Sequence, residues 1–328
     1  MEEKKTKEEL KKIKILNRSM VNVSKGTQRS FDILSVQPEH GVFYQGSDCY
    51  VKIYSLKGKL TEDSCNMLVR RLCDLTHFRY RITSFCRNGE RQGTMRFFSL
   101  FVTAADYYQA YEAYCSFEDN IHSDIVLQKY GLMIERCSLE QTLMFVQMNF
   151  TGQMKKFNYQ ASLKKSEDWG KLMFPSMEID DLKLLIHPNE IITSCYYAKE
   201  VPSKLSDFRD ELIHAGFSLQ ACVEIQSLTD EEMELLNKII GKKYNTVLSS
   251  QTERIVNASF LVMISSPYDN EYMEMAETLL NYAETSGLRL EHCSGQQKDA
   301  FLSICTLGIR NFHIMRNVTE STAAELIL

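Results

Sequence analysis

The chain has 328 residues, of which 44% are apolar and 25% are charged, and its formal net charge is −5. This composition is that of a globular protein and excludes an intrinsically disordered chain. The length predicts about two domains of ordinary size, and so mild a charge favours neither a nucleic-acid binder nor a strongly acidic protein.

The N-terminal residues 1–28 are predicted to form a flexible charged tail. Seven cations between Lys4 and Arg18 are mixed there with four glutamates. The pattern is typical of a solvated helix that frays. The alternative is an electrostatic contact with an anionic membrane face or an acidic partner.

Ten cysteines stand singly in the sequence, with no C-x-x-C pair among them. Most fall on apolar stripes, where a free cysteine behaves as a small hydrophobic residue. We therefore expect reduced thiols in a cytosolic protein. No metal site is expected, because His292 and Cys293 are the only adjacent His–Cys pair and neighbours on a strand face opposite ways.

No run reaches the ~18 consecutive apolar residues that a membrane helix needs.

The first lobe is predicted over residues 29–120. An alternating strand at 49–56 precedes a helix that Thr61 caps, with acidic residues in its first turn. Two strands, 78–86 and 94–103, are joined by a turn whose Asn-Gly pair is a strong hairpin signal. A helix then begins at Asp106.

Residues 121–190 are predicted to be a helical and irregular connection. Ser138 and Gln141 have the spacing of a capping box before an apolar helix. The polar stretch at 151–168 predicts a loop.

The second lobe is predicted over residues 191–328. Its elements are strands at 192–200, 217–226, 258–265 and 288–292, helices at 203–215 and 270–286, and a helix between Thr229 and Gly241. A C-terminal helix, a strand at 312–315 and a last helical turn follow. The fold class is therefore α+β. The order of elements predicts two ferredoxin-like lobes with helices on one face of the sheet, the second lobe extended by added helices.

Short strings in the second half carry a family resemblance. They are Ile186-His187-Pro188, Lys199-Glu200-Val201-Pro202, Gln296-Gln297, Leu307-Gly308 and Arg316-Asn317-Val318-Thr319. With the order of elements over residues 30–328, this region resembles the N-terminal region of type IV secretion and conjugative transfer ATPases. The first half fits more loosely, through Gly41-Val42 and Val51-Lys52-Ile53.

The resemblance implies an assembly role without catalysis. In that family the nucleotide-binding motor lies beyond this region, and the sequence has no G-x-x-x-x-G-K-[ST] loop to hold phosphates. We therefore expect no enzyme activity and no cofactor. The expected function is docking in a conjugation or secretion apparatus, with inner-membrane and ATPase components of the channel as partners. The expected location is cytoplasmic, peripheral to the inner face of the cell membrane. Self-association is a further alternative.

Nucleic-acid binding is the rival interpretation. Seven arginines lie between Arg70 and Arg96, and aromatic residues interleave with Arg79 and Arg81. Alternation puts Phe78, Tyr80 and Ile82 on one face of the strand and these arginines on the other, which favours a core face and a solvated face.

Candidate contacts to a partner or to phosphate come from the arginine segment and from the tyrosine-rich helix after Asp106. Tyrosine is favoured at interfaces because it joins contact area with a polar group. The candidates are Arg79, Arg81, Arg87, Arg91, Tyr108 and Tyr111.

Overall fold

The structure is a computed structural model of the chain. It describes residues 6–86, 94–151, 170, 177–179, 183–186, 190–205, 208–213, 216–244, 253–305, 307 and 314–328.

Fourteen strands occur in these ranges. They are β1 Val21–Asn22, β2 Ser35–Gln37, β3 Val42–Gly46, β4 Cys49–Lys57, β5 Arg79–Cys86, β6 Met95–Thr103, β7 Met133–Arg136, β8 Met177–Ile179, β9 Leu184–Ile186, β10 Ile191–Glu200, β11 Leu219–Ser227, β12 Ile255–Ser266, β13 Arg289–His292 and β14 Arg316–Thr319.

The helices of the described ranges are α1 Lys7–Asn17, α2 Lys25–Phe31, α3 Glu62–Leu75, α4 Tyr107–His122, α5 Ile125–Lys129, α6 Leu139–Thr151, α7 Phe208–Ile213, α8 Asp230–Tyr244, α9 Asp269–Thr285, α10 Gln297–Ile304 and α11 Glu320–Glu325.

All fourteen described strands belong to one sheet, and each described pair of neighbours is antiparallel. The chain is thus a mixed α/β protein built on an antiparallel sheet. Its main path runs β1-β2-β3-β4-β6-β5-β11-β12-β10-β9-β8, and β7, β13 and β14 pair with β4, β10 and β12 beside that path.

The two halves of the sheet have matching strand orders. In the first half the order is β7-β4-β6-β5, and in the second it is β13-β10-β12-β11. In each half, the strand that comes first in the chain lies between the third and the fourth: β4 lies between β6 and β7, and β10 lies between β12 and β13. Helices connect the first strand to the second and the third strand to the fourth. The halves meet where β5 pairs with β11, from Tyr80 opposite Ile225 to Cys86 opposite Leu219. We call this junction the seam.

Both faces of the sheet carry a hydrophobic core, because side chains alternate between the faces along each strand. One core joins Tyr54 of β4 and Val223 of β11 to helices α3, α4, α7, α9 and α11. The other joins Val51 of β4 and Cys222 of β11 to α6 and α10. The crossover helices α3, α4, α7 and α9 share the first face, and α6 and α10 cover the second face.

Most predicted elements are present within a few residues of their expected bounds, and capping explains where α3 and α8 begin. Thr61 accepts a hydrogen bond from the Ser64 backbone at the start of α3. At the start of α8, the Thr229 backbone donates to Glu232, whose own N–H donates to the Thr229 hydroxyl. Each pair satisfies N–H groups that a helix start leaves without an internal partner.

Some boundaries differ from the prediction. Helix α8 runs through Gly241 to Tyr244, because a single glycine lowers helix stability by only about 1 kcal/mol relative to alanine. The last described strand is Arg316–Thr319, and residues 312 and 313 of the strand predicted at 312–315 lie outside the described residues. The predicted turn at 87–90 and most of the predicted loop at 151–168 lie outside the described residues.

Candidate functional site

The predicted arginine contacts divide between the seam and residues outside the described part of the chain. Arg81 is 3% exposed in its side chain, and its Nη2 forms an ion pair with Oε2 of Glu224 directly across the seam. Arg79 also reaches Glu224, with Nη1 3.3 Å from Oε1. Arg87 and Arg91 lie outside the described residues.

The strand face that carries Arg79 and Arg81 was expected to be solvated, and this expectation was wrong. Arg81 Nη1 donates to the backbone carbonyl of Ser303 near the end of α10. Gln220 Nε2 donates to the carbonyl of Ile304, at 2.9 Å. These donors satisfy carbonyls that a helix end leaves without internal partners. The seam thus uses Arg81 internally, and no exposed guanidinium is available there for phosphate.

Two further arginines of the segment are engaged within the protein. Nη2 of Arg71 lies 2.6 Å from Oδ2 of Asp124. Arg96 Nε donates to the carbonyl oxygen of Leu328, at 2.5 Å, beside the hydroxyl of Ser84 at 2.7 Å.

Helix α1 and helix α4 form a cleft on the surface of the first half. Its volume is about 350 Å³. We call it the α1–α4 cleft, and its lining residues are Glu8, Lys11, Lys12, Ile15, Leu16 and Tyr111. Ile15 is 60% exposed, so the cleft combines apolar carbon with flanking charges of both signs.

An amide side chain links the two helices. Asn17, the last residue of α1, donates from Nδ2 to Asp106 Oδ2 at 3.0 Å. Its Oδ1 accepts from the backbone N–H of Tyr108 at 2.8 Å. This pairing satisfies an N–H at the start of α4. At the other end of α1, the Thr6 backbone and Glu9 side chain complete a capping box.

The two predicted tyrosines lie on neighbouring parts of α4. Tyr108 is half-buried, and its hydroxyl donates to the Glu112 carboxylate, a hydrogen bond that raises the pKa of Tyr108. Tyr111 lines the α1–α4 cleft, and its hydrogen bond with the Cys115 thiol raises its pKa. Both hydroxyls therefore stay protonated at neutral pH.

His40 lies beside these tyrosines. Its Nδ1 is 2.6 Å from the Tyr107 hydroxyl, and its ring centroid is 4.8 Å from that of Tyr111. Partial burial, and then the positive charge of Lys52, lower the pKa of His40 below its usual 6.5.

A buried ion pair lies beneath this cluster. Lys52 Nζ is 2.7 Å from Glu118 Oε1, and the two side chains are 7% and 4% exposed. The Tyr54 hydroxyl donates to the same oxygen at 3.0 Å. Arg136 forms an ion pair with the other oxygen of Glu118. The carboxylate is therefore balanced by two cations and a hydroxyl, as a buried charge requires.

Three residues of this cluster were not predicted as contacts, although two of them left a signal in the sequence: His40, Lys52 and Glu118. Lys52 stands at an inward position of β4, on the same face as Tyr50 and Tyr54. Glu118 is four residues after Tyr114 and so continues the buried stripe of α4. A charge at a core position is costly without a partner. A buried Lys52 therefore predicts a buried acidic residue nearby, and a buried Glu118 predicts a buried basic residue.

We expect the low pKa of His40 to appear as pH-dependent stability. Between its folded pKa and 6.5 the unfolded chain binds more protons, so the free energy of unfolding should fall as pH falls through this window. Replacing His40 by glutamine should flatten that slope, by at most about 1.4 kcal/mol per pH unit. Denaturant unfolding at several pH values between about 5 and 8 measures this slope.

The control for His40 is the exposed His122, replaced by glutamine in the same way. Equal slopes for His40→Gln and the unchanged protein would contradict the assignment.

Two other sets of reactive groups in the described part of the chain are buried or already paired. Ser194 Oγ lies 3.5 Å from Nε2 of His292, but Ser194 is fully buried, and Gln297 Nε2 donates to that same ring nitrogen at 3.0 Å. Burial raises the pKa of the Cys222 thiol to about 11 and that of Cys293 to about 12. Neither a reactive thiolate nor an accessible Ser–His pair results.

The described ranges contain no group of three or more His, Cys, Asp or Glu side chains that could hold a metal ion. Nor does any helix within them combine the length and the apolar character needed to cross a lipid bilayer. No protein-family model matches the sequence, and no curated protein matches it either.

Proposed function

We propose that the chain is a docking module that assembles protein partners and catalyses no reaction of its own. The observation that carries this proposal is the α1–α4 cleft. Its floor offers apolar carbon of Ile15 and Leu16 and the ring of Tyr111, and Lys11 and Lys12 flank it. An exposed apolar surface rimmed by charges is the usual anatomy of a protein interface.

The proposed setting is a conjugation or type IV secretion apparatus. This rests on the resemblance of residues 30–328 to the N-terminal region of the ATPases of such machines. The proposed partners are inner-membrane and ATPase components of the channel. In that setting the chain would act in the cytoplasm, peripheral to the inner face of the cell membrane.

We infer further that each half is a ferredoxin-like lobe. The strand orders β7-β4-β6-β5 and β13-β10-β12-β11 support this, together with the helices α3 and α4, and α7 and α9, that connect them. Lobes of this kind place their helices on one face of the sheet. Here the faces opposite those helices are covered by α6 and α10.

The placement of the arginines favours protein docking over nucleic-acid binding. Base stacking needs aromatic rings on an open sheet face with cations beside them. Tyr80 is fully buried, and Arg79 and Arg81 are paired with Glu224.

Replacing Tyr111 by alanine should weaken docking to its partner about tenfold or more, because truncating a tyrosine at the centre of an interface costs about 2 kcal/mol. Tyr108→Ala should have a smaller effect, since its hydroxyl is engaged by Glu112. The measurement is the dissociation constant of the purified chain with each purified inner-membrane and ATPase component of the apparatus. The control is Tyr130→Ala, a 38% exposed tyrosine at the end of α5.

Two results would contradict the proposed docking function. One is unchanged affinity of Tyr111→Ala for every partner that the unaltered chain binds. The other is binding to single-stranded DNA that weakens steeply with salt, because phosphate contacts release counterions.

A further inference from the structure

Helix α8 has an apolar side that nothing in the described part of the chain covers. It connects β11 to β12, where the first half has only residues 87–94 between its equivalent strands. None of its residues 230–239 is buried. Leu235 is 59% exposed and Ile239 is 55% exposed. These two residues are four apart, so they lie on the same side of the helix.

The described part of the chain buries none of residues 230–239 of this helix. Helices of about 15 residues are marginal in water on their own, and most helical stability in proteins comes from packing an apolar face. The local support is a capping box at Thr229 and an exposed Glu234–Lys238 ion pair with Nζ 3.6 Å from Oε2. Exposed pairs of that kind contribute little to stability. A surface outside the described fold is therefore expected to cover Leu235 and Ile239.

The order of charges along α8 favours one kind of partner surface. All its acidic residues, Asp230, Glu231, Glu232 and Glu234, lie in the first five positions of the helix, and its lysines, Lys238, Lys242 and Lys243, lie in the remainder. The helix is therefore charge-complementary to an antiparallel copy of itself. In such a pair, the acidic start of one helix meets the basic end of the other, and Leu235 lies opposite Ile239.

We propose that the protein forms a homodimer through antiparallel pairing of α8 from two copies. The two-fold symmetry makes the interface isologous, so one helix supplies both complementary ends. A lipid surface fits less well. Helices that lie on anionic membranes carry Lys and Arg along the polar face, and here four acidic residues lead the helix.

The first test is the mass of the full chain in solution as a function of concentration, by sedimentation equilibrium. We expect a dimer for the unaltered protein. The double substitution Leu235→Glu with Ile239→Glu should raise the dissociation constant at least about tenfold. Because no described side chain of α8 is buried, both cores stay intact, and near-ultraviolet circular dichroism checks this. The control is Ile125→Glu, an isoleucine that is 78% exposed on α5.

The second test uses charge reversal. Glu231→Lys with Glu234→Lys makes α8 wholly basic beyond its capping box, and Lys238→Glu with Lys242→Glu makes it predominantly acidic. Each variant alone should be monomeric, and an equimolar mixture should form heterodimers. High salt should weaken the unaltered dimer, because its ends attract.

A chain that is monomeric at every concentration would overturn the proposal. So would a dimer that survives Leu235→Glu with Ile239→Glu, or one that strengthens with salt as a parallel pair of helices would. These outcomes are independent of the α1–α4 cleft, so they leave the proposed docking function to its own test.

Discussion

Replacing Glu224 by alanine should lower the free energy of unfolding by about 3–5 kcal/mol, the usual cost of leaving one member of a buried ion pair without its partner. Arg81 is 3% exposed and loses the carboxylate directly opposite it in β11. Arg79 loses its contact with the same carboxylate. Denaturant unfolding, read from the shift of the midpoint at unchanged slope, measures the effect.

The matched control for Glu224 is an ion pair on the surface. Arg289 and Glu200 lie 3.0 Å apart with side chains 56% and 65% exposed. Replacing Arg289 by alanine should cost about 1 kcal/mol or less. Arg81→Met combined with Glu224→Leu should recover part of the loss, because it removes both charges. The recovery stays incomplete, since the carbonyls of α10 lose the Arg81 donor. A cost for Glu224→Ala no greater than that of the Arg289 control would contradict this account of the seam.

Replacing Glu118 by glutamine is the second large perturbation, with an expected loss of about 3–5 kcal/mol. The substitution keeps the size of the side chain, so no cavity forms and the effect is electrostatic. Lys52, only 7% exposed, would keep its charge without a counter-ion. The Tyr54 hydroxyl would meet a neutral acceptor. Thermal and denaturant unfolding both report the loss.

Glu135 provides the control within the same half. It pairs with Lys57 on the surface, where the side chains are 44% and 53% exposed, so Glu135→Gln should cost about 1 kcal/mol or less. Lys52→Met added to Glu118→Gln should regain most of the stability, because the unpaired charge is then gone. If Glu118→Gln alone cost less than about 1 kcal/mol, the buried pair would contribute no more to stability than a surface pair.

Local signals in the sequence predicted much of the fold. Thr61, Asp106 and Thr229 each mark the start of a helix, because a side chain there can satisfy free backbone N–H groups. Alternation along residues 78–86 also placed Tyr80 and Arg81 on opposite faces. Such signals depend on neighbours within a few positions, so a single sequence contains them.

The contacts that define the sites span much longer separations. Arg81 meets Glu224 across 143 positions, and Asn17 meets Asp106 across 89. Alternation can say that Arg81 faces away from Tyr80, but it cannot say that the end of α10 lies there. The pairing of β5 with β11 could not be predicted from the sequence either, because the register between distant strands is set by packing rather than by a turn.

The seam also bears on how the polypeptide can be divided. Each half ends at the junction in a strand, β5 or β11, whose backbone groups are satisfied by the other half. Severing the chain between the halves would expose two long edges of unpaired N–H and C=O groups, which are templates for aggregation. Folding and proteolytic turnover should therefore treat the two described halves of the sheet together.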